Sequence, residues 1–137
     1  MKIKGSSKLY IGFGFLCVVV MIVGIFALYN NSQQKSDFEF HDMRGQKEVE
    51  ILLSDDGYRP KNIVIKPGTV VTFSTDRGTS HWPASNLHPT HSIYSAFDSK
   101  EPVASDEVWS FKFERKGEWN YHDHLRSYFQ GTIEVAD

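Results

Sequence analysis

The sequence predicts an all-β fold, a compact antiparallel β-sandwich, preceded by one N-terminal transmembrane helix. Three observations support this prediction. After Tyr29 the chain is organised in short runs of alternating apolar and polar residues that are rich in β-branched side chains, as is typical of strands. No stretch in that part repeats with the 3.6-residue period of a helix. Before it, residues 9–29 form one run without any charge.

The composition describes one globular domain plus the N-terminal run. The chain has 137 residues, of which 40% are apolar and 14% aromatic, and its net charge is −2. Three of the 15 basic residues, Lys2, Lys4 and Lys8, precede the apolar run. The part of the chain after the run therefore contains all 17 acidic residues but only the remaining basic ones. This acidic excess excludes a strongly basic face, and we expect no nucleic-acid partner.

The uncharged run is long enough to cross the roughly 30 Å hydrocarbon core of a bilayer as a helix. A cleavable signal peptide needs small residues before its cleavage site, whereas Ala27-Leu28-Tyr29 ends on a large one. Lipoprotein processing at Cys17 is also unfavourable, because Leu16 precedes it where a small residue is expected. We therefore predict an uncleaved signal anchor over residues 9–29.

The basic residues before this anchor set its orientation. By the positive-inside rule, residues 1–8 form a cytoplasmic basic end. The protein is then a single-pass protein of the cell membrane, and everything after Tyr29 is extracytoplasmic, in the periplasm or outside the cell. Residues 30–46 have no sustained period and are predicted to be a linker, in which His41 is an ordinary polar residue.

The β-sandwich is predicted over residues 47–137. Pro67-Gly68 and Lys116-Gly117 mark turns between strands. The segment from Asp76 to Asp106 lacks strand signals, but it is too apolar to remain solvated, so we predict an ordered excursion over one end of the sandwich. The predicted strands are 49–53, 62–65, 69–74, 108–113, 118–122 and 132–135.

Histidines are concentrated in two places. Five of the six lie either in the excursion or at the end of a predicted strand. His122 and His124 are two residues apart, so on a strand they project to the same side, roughly 6.6–6.8 Å apart along the chain. Hydrogen bonding or packing is the alternative explanation for such histidines. We predict a metal site built from His81, His88, His91, His122 and His124.

The only cysteine, Cys17, lies inside the apolar run. The predicted sandwich therefore has no disulfide, and a metal site in it must use nitrogen and oxygen ligands. Imidazole suits divalent copper, and zinc has similar ligand preferences.

Two segments of the sandwich resemble cupredoxins. Gly57-Tyr58-Arg59-Pro60, followed by residues 63–73, is similar to their opening strands, and residues 117–122 with 131–135 are similar to their closing hairpin. The resemblance spans nearly all of residues 47–137 and implies a Greek-key β-sandwich of the plastocyanin-like type that binds copper.

The histidine motifs resemble those of another branch of the superfamily. Trp119-Asn120-Tyr121-His122-Asp123-His124 is similar to histidine segments of multicopper oxidases, as are His81-Trp82 and His88-Pro89-Thr90-His91. A multicopper oxidase needs several such domains, so this resemblance implies laccase-type chemistry only between subunits.

The chain departs from blue-copper proteins at the metal ligands. Asp123 stands where the resemblance implies a thiolate, and Phe129 or Gln130 stands where it implies an axial methionine. A type 1 copper site and a binuclear site with two thiolates are therefore both excluded.

Together, these features predict a membrane-anchored, extracytoplasmic copper protein with an all-histidine site. His81, His122 and His124 are the favoured ligands, with His88 and His91 as further ligands or outer partners. The predicted cofactor is copper, as Cu²⁺ or Cu⁺, with zinc as the alternative. The predicted role is copper handling or electron transfer with a redox or copper-transfer partner. We expect a binding protein rather than an enzyme; the alternatives are a metal-free interaction module and a small copper oxidase or reductase that acts as an oligomer.

Overall fold

The computed structural model describes residues 17–31 and 39–137. Residues 17–31 form one α-helix, α1, which contains the exposed Cys17. The predicted cytoplasmic end, the first part of the predicted anchor and residues 32–38 of the predicted linker lie outside the described residues. Within the described parts of the chain, no helix is both long and apolar enough to cross a membrane. The anchor over residues 9–29 stays a prediction.

Residues Glu39–Asp137 form a compact unit of two β-sheets. Its strands are β1 (His41–Asp42), β2 (Glu48–Ser54), β3 (Gly57–Arg59), β4 (Asn62–Ile65), β5 (Thr69–Thr75), β6 (Pro83–Ser85), β7 (Trp109–Phe113), β8 (Gly117–Asp123) and β9 (Arg126–Val135). The five-stranded sheet has the order β1-β4-β9-β8-β6, and the four-stranded sheet has the order β3-β2-β5-β7.

The sheets are mixed, so the prediction of an antiparallel sandwich is wrong in this respect. Strands β2 and β5 are parallel neighbours, as are β4 and β9 and the short pair β1 and β4. Parallel neighbours need a crossover connection. Between β2 and β5 the chain passes through β4, which belongs to the other sheet, and it therefore returns in the direction of β2. The alternation of apolar residues reports burial of one face and carries no information on strand direction.

The predicted strands all coincide with observed ones, but the compact unit begins earlier than the predicted boundary at Lys47. Strand β1 lies in the predicted linker and pairs with β4. Met43 packs against the core, and Arg44 donates a hydrogen bond to the backbone oxygen of Asp137 (2.9 Å). These contacts attach residues 39–46 to the sandwich.

The core between the sheets is rich in aromatic rings. Phe73 and Tyr121 are fully buried, with ring centroids 5.5 Å apart. Tyr94 and Phe97 come from the excursion and are buried in the same core, so the prediction that the excursion is ordered is confirmed. Each such ring contributes about 1.5–3 kcal/mol through burial. The core thus anchors the segment that carries His88 and His91.

Strand β8 lies between β9 and β6 and brings its end to the excursion. Opposite Tyr121 the backbone of β9 approaches so closely that a side chain on Gly131 would collide with the Tyr121 hydroxyl and the Lys61 carbonyl. The pairing of β8 with β9 shifts register between His122 and Asp123. Glycine at this position leaves room for the buried Tyr121 ring, which His122 follows directly.

Candidate metal centre

Four imidazoles meet at the end of β8. His122 lies on the strand and His124 just beyond it, while His88 and His91 come from the excursion. One ring nitrogen of each lies within 4.8 Å of the corresponding nitrogen of every other. We call these four residues the histidine cluster. The structure therefore brings together four of the five histidines that the sequence singled out.

The rings of the histidine cluster are hydrogen-bonded to one another in two pairs. His88 Nδ1 lies 3.3 Å from His122 Nε2, and His91 Nε2 lies 2.9 Å from His124 Nδ1. One nitrogen of each of the four rings thus faces a nitrogen of another ring rather than an oxygen. Converging imidazole nitrogens at these separations form a donor set suited to a transition-metal ion.

Two members of the cluster are oriented by partners outside it. His91 Nδ1 donates to Asp98 Oδ2 (2.7 Å), and His122 Nδ1 donates to Asn86 Oδ1 (2.8 Å). Both partners are acceptor oxygens, so Nδ1 carries the hydrogen in each ring. In the neutral tautomer Nε2 then presents a lone pair to the cluster, which is how histidine ligands are held in metal sites.

Asp98 is a charged carboxylate inside the site. Burial raises its pKa, but hydrogen bonds from the Trp82 indole, the His91 ring and Lys100 outweigh burial and hold the pKa well below its usual range. Trp82 Nε1 and the Lys100 backbone each donate to Asp98 Oδ1 at 2.8 Å. The charge holds the His91 ring in its orientation, and it counters positive charge bound nearby.

Two members of the cluster, His122 and His124, are held neutral. Burial first, and then the neighbouring His91, His88 and His124 rings, lower the pKa of His122 to about 4. The pKa of His124 is lowered by burial first and then by the His91 and His88 rings. A neutral imidazole is the form that binds metal, so these two rings are ready to act as ligands at neutral pH.

His81, a favoured ligand in the sequence analysis, is not part of the histidine cluster. It is fully buried, its backbone pairs with Val103, and burial lowers its pKa. Within residues 39–137, neither of its ring nitrogens has a hydrogen-bond partner. A role for His81 as a ligand stays a prediction.

Asp123, at the position where a thiolate would be expected, is held in an ion pair. The carboxylate is fully buried and contacts Arg126 Nε (2.8 Å), and its second oxygen accepts from the Trp82 backbone (2.8 Å). Arg126 also donates to Thr79 Oγ1 (2.9 Å) and to the Ser80 carbonyl. We call Asp123 and Arg126 the ion-pair cluster. Its contacts tie β8 to the segment before β6 and leave the carboxylate outside the histidine cluster.

Trp82 connects the two clusters. Its ring lies against His124, with centroids 4.4 Å apart and planes inclined by 35°, and its backbone oxygen accepts from the His124 N–H (2.8 Å). Its indole N–H donates to Asp98, which also binds His91, and its backbone N–H donates to Asp123. The sequence analysis did not identify Trp82, Asp98 or Asn86 as site residues. Trp82 follows a candidate histidine directly, whereas no local pattern marks the other two.

Comparisons with known proteins find only structural relatives. No protein-family model and no curated protein matches the chain. A purple cupredoxin from Nitrosopumilus maritimus superposes with a TM-score of 0.56 at 23% identity, covering 64% of this chain and 99% of that one. A reduced amicyanin variant gives 0.56 at 16% identity, covering 65% and 82%. A copper-containing nitrite reductase from Thermus scotoductus gives 0.55 at 18% identity, covering 66% and 22%.

The chain therefore has the cupredoxin fold, and the resemblance seen in its sequence is confirmed. It lacks the type 1 cysteine, because its single cysteine is the exposed Cys17 of α1. In its place the sandwich contains four grouped histidines. None of these neighbours supports the alternative of zinc.

Proposed function

We propose that this protein binds copper through the four imidazoles of the histidine cluster. The observation that carries the proposal is the convergence of one nitrogen from each of His88, His91, His122 and His124 within 4.8 Å. The outer hydrogen bonds of His91 and His122 support it, since they orient these rings with a lone pair towards the other members.

The donor set fits divalent copper. Imidazole nitrogens suit Cu²⁺, which has the highest affinity among the divalent first-row metals. Residues 39–137 contain no cysteine, so no thiolate competes for the ion. When bound, copper would supply a one-electron redox couple at this end of the sandwich. The chain's own residues keep the His122 and His124 rings neutral, orient the His91 and His122 rings, and partly shield the site from water.

The ligand set favours copper handling over fast electron transfer. Soft sulfur ligands stabilise Cu⁺, and the cluster has none, so the reduction potential is expected to lie below that of blue-copper proteins. Storage, transfer or sensing of copper are then the roles that fit best, with a copper-transfer or redox protein as partner.

The first experiment measures copper binding by calorimetry on the purified full chain. We expect one Cu²⁺ per chain. The double variant His122→Ala/His124→Ala should bind at least about 100-fold more weakly, which corresponds to about 3 kcal/mol. His41→Ala is the control and should bind like the parent, because His41 lies outside the cluster. Equal binding by parent and double variant would refute the site, and no binding by the parent would favour a metal-free interaction module.

We further propose that an uncleaved anchor over residues 9–29 holds the sandwich outside the cytoplasmic membrane. The supporting observations are the uncharged run and the preceding lysines. Protease added to intact cells or spheroplasts should remove the sandwich and leave a membrane-bound stub. Recovery of a soluble mature protein that begins near Tyr29 would contradict the anchor.

A further inference from the structure

The four members of the histidine cluster are not held equally, and we propose that His88 is a replaceable ligand. On this proposal, which rests on the copper site above, a neutral monodentate nitrogen donor from solvent takes the position of His88. The imidazole of a partner protein is the donor with the matching chemistry. His91, His122 and His124 then form the permanent part of the site.

His91 and His122 are held from both sides. Both side chains are buried, with 4% and 1% of the residue surface exposed. Each uses Nδ1 on an oxygen outside the cluster, Asp98 for His91 and Asn86 for His122. Neither ring can swing away from the cluster without breaking its hydrogen bond to Asp98 or Asn86. The bond of His91 is to a charged carboxylate, and hydrogen bonds to charged groups contribute about 1.5–3 kcal/mol.

His124 is held by Trp82. The backbone N–H of His124 donates to the Trp82 carbonyl at 2.8 Å, and the two rings lie 4.4 Å apart. His124 is also partly buried. Three of the four imidazoles therefore have a partner outside the cluster that fixes their place.

His88 has no such partner. It is exposed, and its one hydrogen bond within residues 39–137 is the 3.3 Å contact of its Nδ1 with His122, which is itself a candidate ligand. Its ring contacts are with His122 and His124 only. Its neighbour Leu87 is also exposed, so solvent reaches the ring from outside. Within residues 39–137, rotation of the His88 side chain away from the cluster would break no hydrogen bond and no ring contact outside the cluster.

The exchange needs no other reactant. The bond from copper to the His88 nitrogen breaks as the bond to the incoming nitrogen forms; both donors are neutral, so no proton or electron is transferred. Because the other three imidazoles stay in place, such an exchange would allow a partner to engage the site before the ion leaves it.

The test compares His88→Gly with His91→Gly in the full chain. One equivalent of Cu²⁺ is added, and paramagnetic resonance spectra are recorded while imidazole is titrated in. We expect His88→Gly to bind copper with an affinity at most about tenfold below that of the parent. A tenfold loss is the lower end of the loss in metal affinity that usually follows removal of a ligand's hydrogen-bond partner. Added imidazole should then restore the spectrum of the parent.

The matched variant His91→Gly should behave differently. It removes a buried ring and leaves Asp98 without that partner, so copper affinity should fall well beyond tenfold and imidazole should not restore the parental spectrum. If His88→Gly loses copper as completely as His91→Gly, or if imidazole restores both variants or neither, the inference is wrong. Copper binding by the parent tests the site itself, so the two failures are distinguishable.

A measurement on the unaltered protein keeps the test independent of whether the variants fold. Copper-loaded parent protein is titrated with ¹⁵N-labelled imidazole. Pulsed electron paramagnetic resonance then detects coupling between Cu²⁺ and the ¹⁵N label. We expect the spectra to show coupling between Cu²⁺ and the labelled nitrogen, with no copper released to the buffer. Copper released without a labelled intermediate, or no coupling at imidazole concentrations that suffice for His88→Gly, would overturn the inference.

Discussion

The histidine cluster and the ion-pair cluster lie at the same end of strand β8, yet their interactions differ. In the ion-pair cluster, Asp123 and Arg126 satisfy each other and the backbone around them. In the histidine cluster, ring nitrogens face other ring nitrogens at 2.9 and 3.3 Å. Three consecutive residues belong to the two clusters: His122 and His124 to the histidine cluster, and Asp123 to the ion-pair cluster.

The difference separates a structural polar group from a binding site. A buried carboxylate that is fully paired holds the chain in place and has no remaining capacity for a ligand. The converging imidazoles hydrogen-bond only to one another on the inner side of the cluster, and these nitrogens can exchange such bonds for a bound metal ion. Asp123, which stands where the family resemblance implies a thiolate, is thus a structural residue, and the adjacent histidines form the possible metal site.

The largest effect is expected from breaking the ion-pair cluster. Asp123→Ala leaves the largely buried Arg126 guanidinium without its charge partner, and it removes the acceptor for the Trp82 N–H. Loss of one member of a buried pair costs about 3–5 kcal/mol, so the free energy of unfolding should fall by that amount in urea denaturation.

The control for this variant is an exposed ion pair. Asp56 contacts Arg59 at 2.5 Å with 78% and 63% of the two side chains exposed, and Asp56→Ala should change stability by less than about 1 kcal/mol. Equal effects of the two substitutions would show that the ion-pair cluster is not a structural element.

The next effect concerns acid and the histidine cluster. The pKa of His122 is about 4 in the folded protein, below its ordinary value of 6.5. Between these values the unfolded chain binds a proton that the folded chain does not, so metal-free protein should be fully stable above pH 6.5 and lose stability as the pH falls towards 4. The loss from this group is on the order of 3 kcal/mol.

Urea denaturation of chelator-treated protein at pH 7.5 and pH 4.5 measures this loss. Other groups also titrate in this range, so the same pair of measurements is made on His122→Asn. The variant should lose distinctly less stability than the parent between the two pH values. Parallel losses would mean that His122 is not held neutral by burial.

A smaller effect should follow from Asp98→Asn. The substitution removes the charge that orients the His91 ring and keeps the size of the side chain. Loss of such an outer partner lowers metal affinity by about 10- to 100-fold, which competition with a copper chelator can measure. Asp56→Asn, in an exposed pair with Arg59, is the matched control and should leave affinity unchanged. An unchanged copper affinity in Asp98→Asn would show that Asp98 does not contribute to metal binding.

The sequence predicts the parts of this molecule that depend on local pattern. Strand β4, with its β-branched residues, falls where the alternation predicts it, and the spacing of His122 and His124 correctly places both in one cluster. Strand β6 was missed because Pro83-Ala84-Ser85 carries no strand signal; it forms by pairing with β8. Asp98 and Asn86 were missed because only the folded excursion brings them to the rings.

His81 shows the limit of reasoning from residue type. It lies in the excursion beside a motif that resembles copper oxidases, and only the packing of the chain separates it from the other histidines. Its side chain is fully buried, and it is not one of the four grouped histidines. Sequence spacing fixes distances along a strand, but it does not fix which of several loop residues the tertiary fold turns inward.

The most direct test of the central claim is the spectrum of the copper-loaded protein. The full chain is given one equivalent of Cu²⁺, and its visible absorption and paramagnetic resonance spectra are recorded together. Four imidazoles and no thiolate predict a pale protein, with weak ligand-field bands, a wide copper hyperfine splitting and coupling to nitrogen. An intense blue or purple charge-transfer band, or a protein that binds no copper, would contradict the account.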